Sequence, residues 1–297
     1  MSLPLVSVVM LSWNRKNDVR VSLDHLFASD YPSVEVIVVD NHSTDGTVGM
    51  VKEKFPAAIV VPLADNIGIA GWNKGFEIAT GEFILVLDDD SYPEENALSI
   101  GVKRMMQEPQ CGILAMKVYN IHRQCVQTSS LIQGNNITFI GCGAILRTAA
   151  LQSAGMFEPL LFLYMHEDEF AMRVINAGFN VAYEPEAVVQ HISSPVHRVL
   201  DTESGVDSRR QYYLIKNILT ILVLHFSLRH LVFRIPRIII GRVLFGVKNH
   251  CLAPILRGIA SFLRDFGRIG KKRSVLNSQT QELYKFGSFA GGFFFSD

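Results

Sequence analysis

Three consecutive aspartates, Asp88, Asp89 and Asp90, end a nearly apolar run, and a second acidic group, Glu167, Asp168 and Glu169, follows His166. Adjacent carboxylates repel one another, so a fold that keeps them needs a cation or hydrogen-bond donors beside them. Together with His191 they make an acidic set with one imidazole, which suits a hard or borderline divalent ion such as Mn2+ or Mg2+. Such an ion, bound by one or two protein side chains, completes its shell with water and substrate phosphates. The expected cofactor is therefore a divalent cation held against a diphosphate. Taken alone, the triplet also reads as a solvated acidic turn before a helix, with Pro93, Glu94 and Glu95 in the first turn.

Strand ends are needed to position such groups. Val6 to Leu11 is a β-branched run, "VEVIVVD" (34–40) ends on Asp40, "AAIVVPL" (57–63) is a weaker strand, and Phe83 to Leu87 is a fourth. Helical spacing of Val19, Leu23, Leu26 and Phe27 predicts a helix over 17–28. "NIGIAGWNKGFEIATG" (66–81) reads as a glycine-rich loop entering a helix closed by Gly81. Strands alternating with helices predict an α/β fold, a Rossmann-like, mostly parallel sheet with flanking helices. Ligands sit at the carboxyl ends of such strands, where Ser12, Asp40 and Asp88 to Asp90 all fall. Further on, "GCGAILRTAAL" (141–151) predicts a strand and a helix from Thr148. A helix follows over 167–177, ended by Gly178, and then a strand ending at His191.

At 297 residues the chain has room for one large α/β domain and a smaller appendage. A hydrophobic content of 48% with 19% charge supports a sizeable core and excludes wholesale disorder. The zero net charge hides an asymmetry. Residues 1–208 hold 13 basic and 25 acidic residues, whereas 209–297 hold 15 and 3. The division predicts a catalytic domain over 1–208 and a basic amphipathic helical tail over 209–297. Cys111, Cys125, Cys142 and Cys251 show no CxxC spacing and read as reduced thiols in a cytosolic setting. The start lacks the basic region of a secretory signal, and no stretch reaches 18 uninterrupted apolar residues, so a conventional membrane span is not expected.

In the tail, Arg234, Arg237, Arg242 and Lys248 fall within an arc of roughly 140° on a 3.6-residue helix, with Ile, Leu, Val and Phe filling the rest. Basic amphipathic helices of this kind lie in the membrane interface, drawn to anionic lipid. Pro236 predicts two helices rather than one. The competing reading packs these helices on the catalytic domain with a solvated basic face. Nucleic acid is not expected as a partner, because the acidic first domain would repel phosphate. The expected location is cytoplasmic, peripheral on the inner face of the cell membrane. Arg209, Tyr212 and Tyr213 are read as the start of a flap over the ligand at the strand ends.

Seven segments, "VSVVMLSWNR", "VIVVDNHSTDGT", "DNIGIAGWNKG", "FILVLDDD", "GCGAILR", "HEDEFAMRVINAGF" and "VVQHIS", stand in this order. In that order they resemble the family 2 glycosyltransferases of GT-A fold, over roughly residues 4–217, and bacterial members that build rhamnose-containing and other surface polysaccharides in particular. The resemblance implies a hexosyltransferase-type enzyme that moves a sugar, with inversion, from a nucleoside-diphosphate sugar, UDP- or dTDP-linked, to a hydroxyl of a glycan or lipid-linked acceptor.

It also implies roles. Asp40 would accept a hydrogen bond from the base, with Ser12 and Asn14 lining the same pocket; the alternative for Asp40 is a plain helix N-cap. Asp88 would contact the ribose and the metal, Asp89 the donor, and Asp90 and His191 the metal. Asn66 and Asn73 would organise the donor site, and Gly141 and Gly143, flanking Cys142, would approach the donor sugar. Trp72 would face the sugar or sit in the core. Gly68, Gly71 and Gly75 would permit close packing beside the nucleotide.

Inverting transfer needs a general base near the acceptor. Here the chain departs from the family pattern of Glu-Asp, one spacer and an acidic residue before the helical Arg. Counting back from Arg173 puts His166 and Glu167 at the Glu-Asp positions, whereas the letters themselves put Glu167 and Asp168 there. Asp168 is the preferred base and Glu167 its alternative, with Glu169 expected to hold Arg173. A metal-dependent nucleotidyltransferase or phosphohydrolase is the competing class. It predicts a phosphate-gripping lysine or P-loop, and "NIGIAGWNKG" is neither that nor GxGxxG. A catalytically idle scaffold is the third reading, against which the intact acidic ends argue.

Overall fold

A computed structural model describes residues 3–127, 137–192 and 207–284. The terminal "FGSFAGGFFFSD", which has no sequence reading, lies outside the described residues. One mixed sheet holds β1 (Val6–Ser12), β2 (Val34–Asp40), β3 (Ile59–Pro62), β4 (Phe83–Asp88), β5 (Ser91–Pro93), β6 (Cys111–Asn120), β7 (Cys125–Gln127), β8 (Ala144–Arg147) and β9 (Asn180–His191). Its order is β3-β2-β1-β4-β8-β6-β9-β5, with β7 on β6.

The first four strands in that order are parallel, as the β-branched runs separated by helices require. Their register aligns the polar ends: Ser12 lies opposite Asp40, and Leu11 opposite Asp88. β8 runs antiparallel between β4 and β6, and β9 is parallel to β6. Short β5 turns back against β9 and sets Ser91 opposite His191. That pairing carries His191 to the end of the aspartate triplet. It also corrects the helical reading of Pro93 to Glu95: Pro93 pairs with Val189 at β9's edge, Glu95 lies in a turn, and the next helix starts only at Ala97.

The helices are α1 (Lys16–Phe27), α2 (Thr47–Lys54), α3 (Ala70–Phe76), α4 (Ala97–Gln107), α5 (Thr148–Ala154), α6 (His166–Asn176), α7 (Ser208–His225), α8 (Leu228–Lys248), α9 (Leu252–Lys271) and α10 (Ser278–Leu283). Apolar residues on the two sheet faces form two cores. One joins Val8, Leu85 and Leu114 to α1 and α4; the other joins Val9, Val86 and Ile113 to α3, α6 and α7. Buried residues run the length of α7, including Ile215, Ile218 and Leu222. Its Asn217 amide donates to the carbonyls of Leu161, Leu163 and Tyr164 at 2.7–3.0 Å. This steadies a loop in which Phe162, Tyr164 and Met165 all have positive φ, immediately before the acidic start of α6.

Two expectations for the C-terminal helices need correction. α8 continues through Pro236 as one helix. Pro236 removes only one intrahelical donor, and its ring lies on the exposed side, clear of the packed elements. The basic arc does not face outward as a unit either. Arg242 is buried and bonded to Gln211 of α7, and the Arg234 guanidinium lies over the Phe226 ring.

Candidate functional site

At the paired ends of β1 and β2, Ser12 and Asp40 are buried. Asp40 Oδ2 accepts from Ser43 N at 2.8 Å, while Asp40 Oδ1 and Ser12 Oγ have no hydrogen-bond partner. Buried polar atoms left unpaired are costly, so this end of the sheet is chemically prepared for a ligand that can hydrogen-bond. The N-cap reading of Asp40 is excluded, because α2 starts at Thr47 and Asp45 Oδ1 takes the Thr47 N–H at 3.0 Å. Asn14, at φ 54°, clasps the facing loop: its N–H donates to Ser43 Oγ and its Oδ1 accepts from Thr44 N.

The glycine-rich loop is held beside this end. Asn41 accepts from Ile67 N and donates to the Gly68 carbonyl, and Asn66 Oδ1 accepts from Gly68 N. Gly68 has φ +63°, and a Cβ there would stand 2.1 Å from the Phe162 carbonyl oxygen, so this position needs glycine. Trp72 is buried, donates Nε1–H to the Leu87 carbonyl at 3.3 Å and stacks on His166. Asn73 spends both ends of its amide on the Phe157 backbone, at 2.8 and 3.0 Å. It ties α3 to the segment leading into α6 and does not join the acidic cluster.

All three aspartates turn inward. Asp89 Oδ2 accepts from Trp13 N at 3.0 Å, and Arg15 pairs with both Asp89 and Asp90. Asp90 Oδ1 lies 3.3 Å from His191 Nε2, and Gln127 Oε1 faces His191 Nδ1 at 2.7 Å. Burial pushes the Asp88 carboxyl up to about 6, with repulsion from Asp90 adding to it. Burial acts the same way on Asp90, but His191 and Arg15 outweigh it and bring Asp90 down to about 2. Sequence reasoning missed Arg15, although it stands three residues past the end of β1, and it missed Gln127, for which no local signal exists.

The start of α6 separates its three acids. Glu167 keeps 25% of its side chain exposed, beside His166 Nδ1 at 3.1 Å and on the Asp88 side, where its charge also raises the Asp88 and Cys142 pKa values. A Cβ at Gly141 would stand 3.0 Å from Glu167 Oε1, so a glycine there keeps that carboxyl's surroundings open. Gly143, in contrast, is hemmed in by Val118 and Val189 of the sheet. Asp168 is 3% exposed and lies near Thr138 and Tyr284. Burial pushes both Glu167 and Asp168 up to about 7. Glu169 holds Arg173, as the i, i+4 spacing predicts, through bonds of 2.6 and 2.7 Å, and its Oε1 also meets His225 Nε2 at 2.8 Å.

Asp88, Cys142 and His191 each offer a ligand atom within 4.8 Å of the others. Asp90 borders the same imidazole. Carboxylates that burial and mutual repulsion drive toward protonation are eased by a cation, and the carboxylate–imidazole set suits Mn2+ or Mg2+. The residues therefore fit a divalent ion. Cys142 is the member the sequence did not assign to it; burial and the surrounding carboxylates raise its thiol well above its ordinary pKa.

Known proteins are similar to this chain in sequence and in fold. Residues 7–152, just under half of the chain, match the family model described as Glycosyl transferase family 2. The chain is 26% identical over 214 residues to the probable glycosyltransferase YdaM of Bacillus subtilis, covering 63% of this chain and 50% of that protein. It is 24% identical over 175 residues to the Escherichia coli UDP-Glc:alpha-D-GlcNAc-diphosphoundecaprenol beta-1,3-glucosyltransferase WfaP, covering 57% and 68%. The chain spans half the length or less of the first curated relatives it matches. In fold it is similar to S. aureus TarS 1-349 in complex with UDP-GlcNAc, with a TM-score of 0.61 at 18% identity over 94% of this chain and 83% of that one. It is also similar to the mannosyltransferase PcManGT of Pyrobaculum calidifontis in complex with GDP-Man and Mn2+, with a TM-score of 0.58 at 16% identity over 96% and 79%. The mixed α/β fold and the family resemblance expected from the motifs are thus borne out.

Proposed function

We propose, on the premise that residues 7–152 are a family 2 glycosyltransferase segment, that the protein is an inverting glycosyltransferase. It moves a sugar from a nucleoside-diphosphate sugar, UDP- or dTDP-linked, to a hydroxyl of a glycan or lipid-linked acceptor. The observation that carries this reading is the inward-turned aspartate triplet with His191 3.3 Å from Asp90, at the strand end where Ser12 and Asp40 keep unpaired polar atoms.

In this reading Asp40 and Ser12 orient the base, with Asn14 shaping the pocket wall, and Asp88 takes ribose hydroxyls. Asp90, His191 and Asp88 would hold the divalent ion, with Cys142 beside them. When bound, that ion supplies positive charge against the departing diphosphate. Asp89, fixed by Trp13 and Arg15, keeps the triplet in place next to the donor. Asn66 keeps the glycine-rich loop in shape, and Gly141 leaves room for the sugar.

Glu167 serves as the base and takes the acceptor hydroxyl's proton on its carboxylate. It is supported over Asp168 by its partial exposure on the Asp88 side and by a pKa of about 7, close to a working pH. Asp168, sealed near Thr138, supports the helix start. The acceptor is met at an anionic membrane surface, from the cytoplasmic side, with the C-terminal helices as the docking part.

A thermal-shift screen of UDP-, dTDP- and GDP-sugars with and without Mn2+ tests the donor, since a bound donor stabilises by mass action. Stabilisation by one donor class that depends on Mn2+ is expected. No stabilisation by any of them overturns the reading. The anomeric configuration of the transferred sugar, read by NMR, tests inversion.

A further inference from the structure

α8 is apolar on both sides, the one that packs on the protein and the one that faces out. Leu228, Val232, Phe233, Ile240, Leu244 and Val247 are each between 58% and 73% exposed. They fall within an arc of roughly 160° at 3.6 residues per turn. The side turned to the protein packs Leu231, Ile235, Ile238, Ile239 and Phe245 on the core, with Arg242 buried on Gln211 and Gly246 against Leu252 and Ile255 of α9. Leu256, Leu263 and Phe266 are likewise exposed on α9. Single exposed apolar residues are ordinary, but a continuous stripe along a helix of about 30 Å marks an interaction surface.

We propose that this stripe is inserted into the interfacial layer of an anionic lipid leaflet, with α8 lying in the membrane plane. Charge identifies the occupant. Residues 226–273 carry eleven basic residues and one acidic residue, Asp265. Arg237 and Lys248 stay exposed along one margin of the apolar stripe and Arg229 at its N-terminal end, where headgroup phosphates would meet them. No helix among the described residues is long and apolar enough to cross a membrane, so the helix lies on the leaflet rather than spanning it. The inference deepens the membrane-surface part of the proposed function by naming the inserted face. It needs no donor or metal, so its failure is distinguishable from failure of the transferase reading.

The test is sedimentation of the full chain with vesicles of phosphatidylcholine alone or with 30% phosphatidylglycerol, without nucleotide. At least tenfold stronger partition onto the anionic vesicles is expected. The triple substitution Phe233→Ser, Ile240→Ser, Leu244→Ser should weaken it at least tenfold at an unchanged Tm. No binding, equal partition onto both vesicle types, or binding indifferent to the triple substitution overturns the proposal. So does a dimer that the substitution converts to a monomer without any vesicle binding, which would make the stripe a contact between copies. Should the triple variant lose its Tm, Phe233→Trp replaces it. A blue-shifted emission on anionic vesicles supports insertion, and an unshifted one overturns it.

Discussion

His191 Nε2 lies 3.3 Å from Asp90 Oδ1 because β5 folds back on β9 and sets Ser91 opposite His191. With Gln127 Oε1 accepting from Nδ1–H, Nε2 is the ring nitrogen left to face a cation. The His191 pKa is raised: burial works against the charge, but the hydrogen bond and attraction from Asp90 prevail. Proton and metal therefore compete for one nitrogen. Mn2+ affinity, measured by calorimetry, should fall as pH falls, and His191→Asn should weaken it by roughly 10–100-fold. Affinity unchanged in the variant would remove His191 from the ion's shell.

The Glu167 carboxyl, lifted to about 7 by burial, must be ionised to act as a base. Turnover should rise with pH and level off above about 7. Glu167→Gln should lower kcat by roughly 100-fold or more with donor KM little changed, and Asp168→Asn should lower it by less than about tenfold. The reverse order of the two effects returns the base to Asp168.

Asp168 also makes a stability prediction. Burial raises its carboxyl from 3.8 to about 7, so the folded protein holds a proton that the unfolded chain releases. That contribution is fully present below about 3.8 and is lost as pH rises through about 7. The stability advantage of Asp168→Asn over the parent, read as a widening Tm difference, should therefore grow across this window, by on the order of 2–4 kcal/mol at most. A difference independent of pH contradicts the burial argument.

Arg15 is the cation already present beside the triplet, paired with Asp89 and Asp90. Arg15→Gln leaves buried carboxylates uncompensated and should cost about 2–4 kcal/mol in the metal-free protein. Mn2+ should restore part of that loss, and differential scanning calorimetry with and without the ion reads both effects. A Tm unaffected by Arg15→Gln would make the pair incidental.

Several site elements were legible locally. β-branched runs ending in Ser12, Asp40 and Asp88 declare strand ends by composition, and parallel pairing then aligns them. The Glu169–Arg173 bond follows from i, i+4 spacing alone, and the end of α6 from Gly178 at φ +93°. β6 was not legible, although it sits between β8 and β9 and follows a turn at Pro109, because its short apolar run cannot be told by period from a buried helix segment. Arg15 was passed over because its partners lie some 75 residues away.

By its amino-acid order alone the chain determined an alternating α/β pattern, the identity of the carboxylates and imidazole available for a site, and an amphipathic basic tail. Those are properties of local composition and period. Tertiary structure decided which side of each element is covered. Neighbouring helix residues point about 100° apart, so only the packing of α6 leaves Glu167 on the Asp88 side and seals Asp168 inside. The packing of α7 and α9 likewise decided that α8 buries Arg242 and leaves Phe233, Ile240 and Leu244 outside. Periodicity defines faces, whereas contacts between residues distant in the chain choose among them.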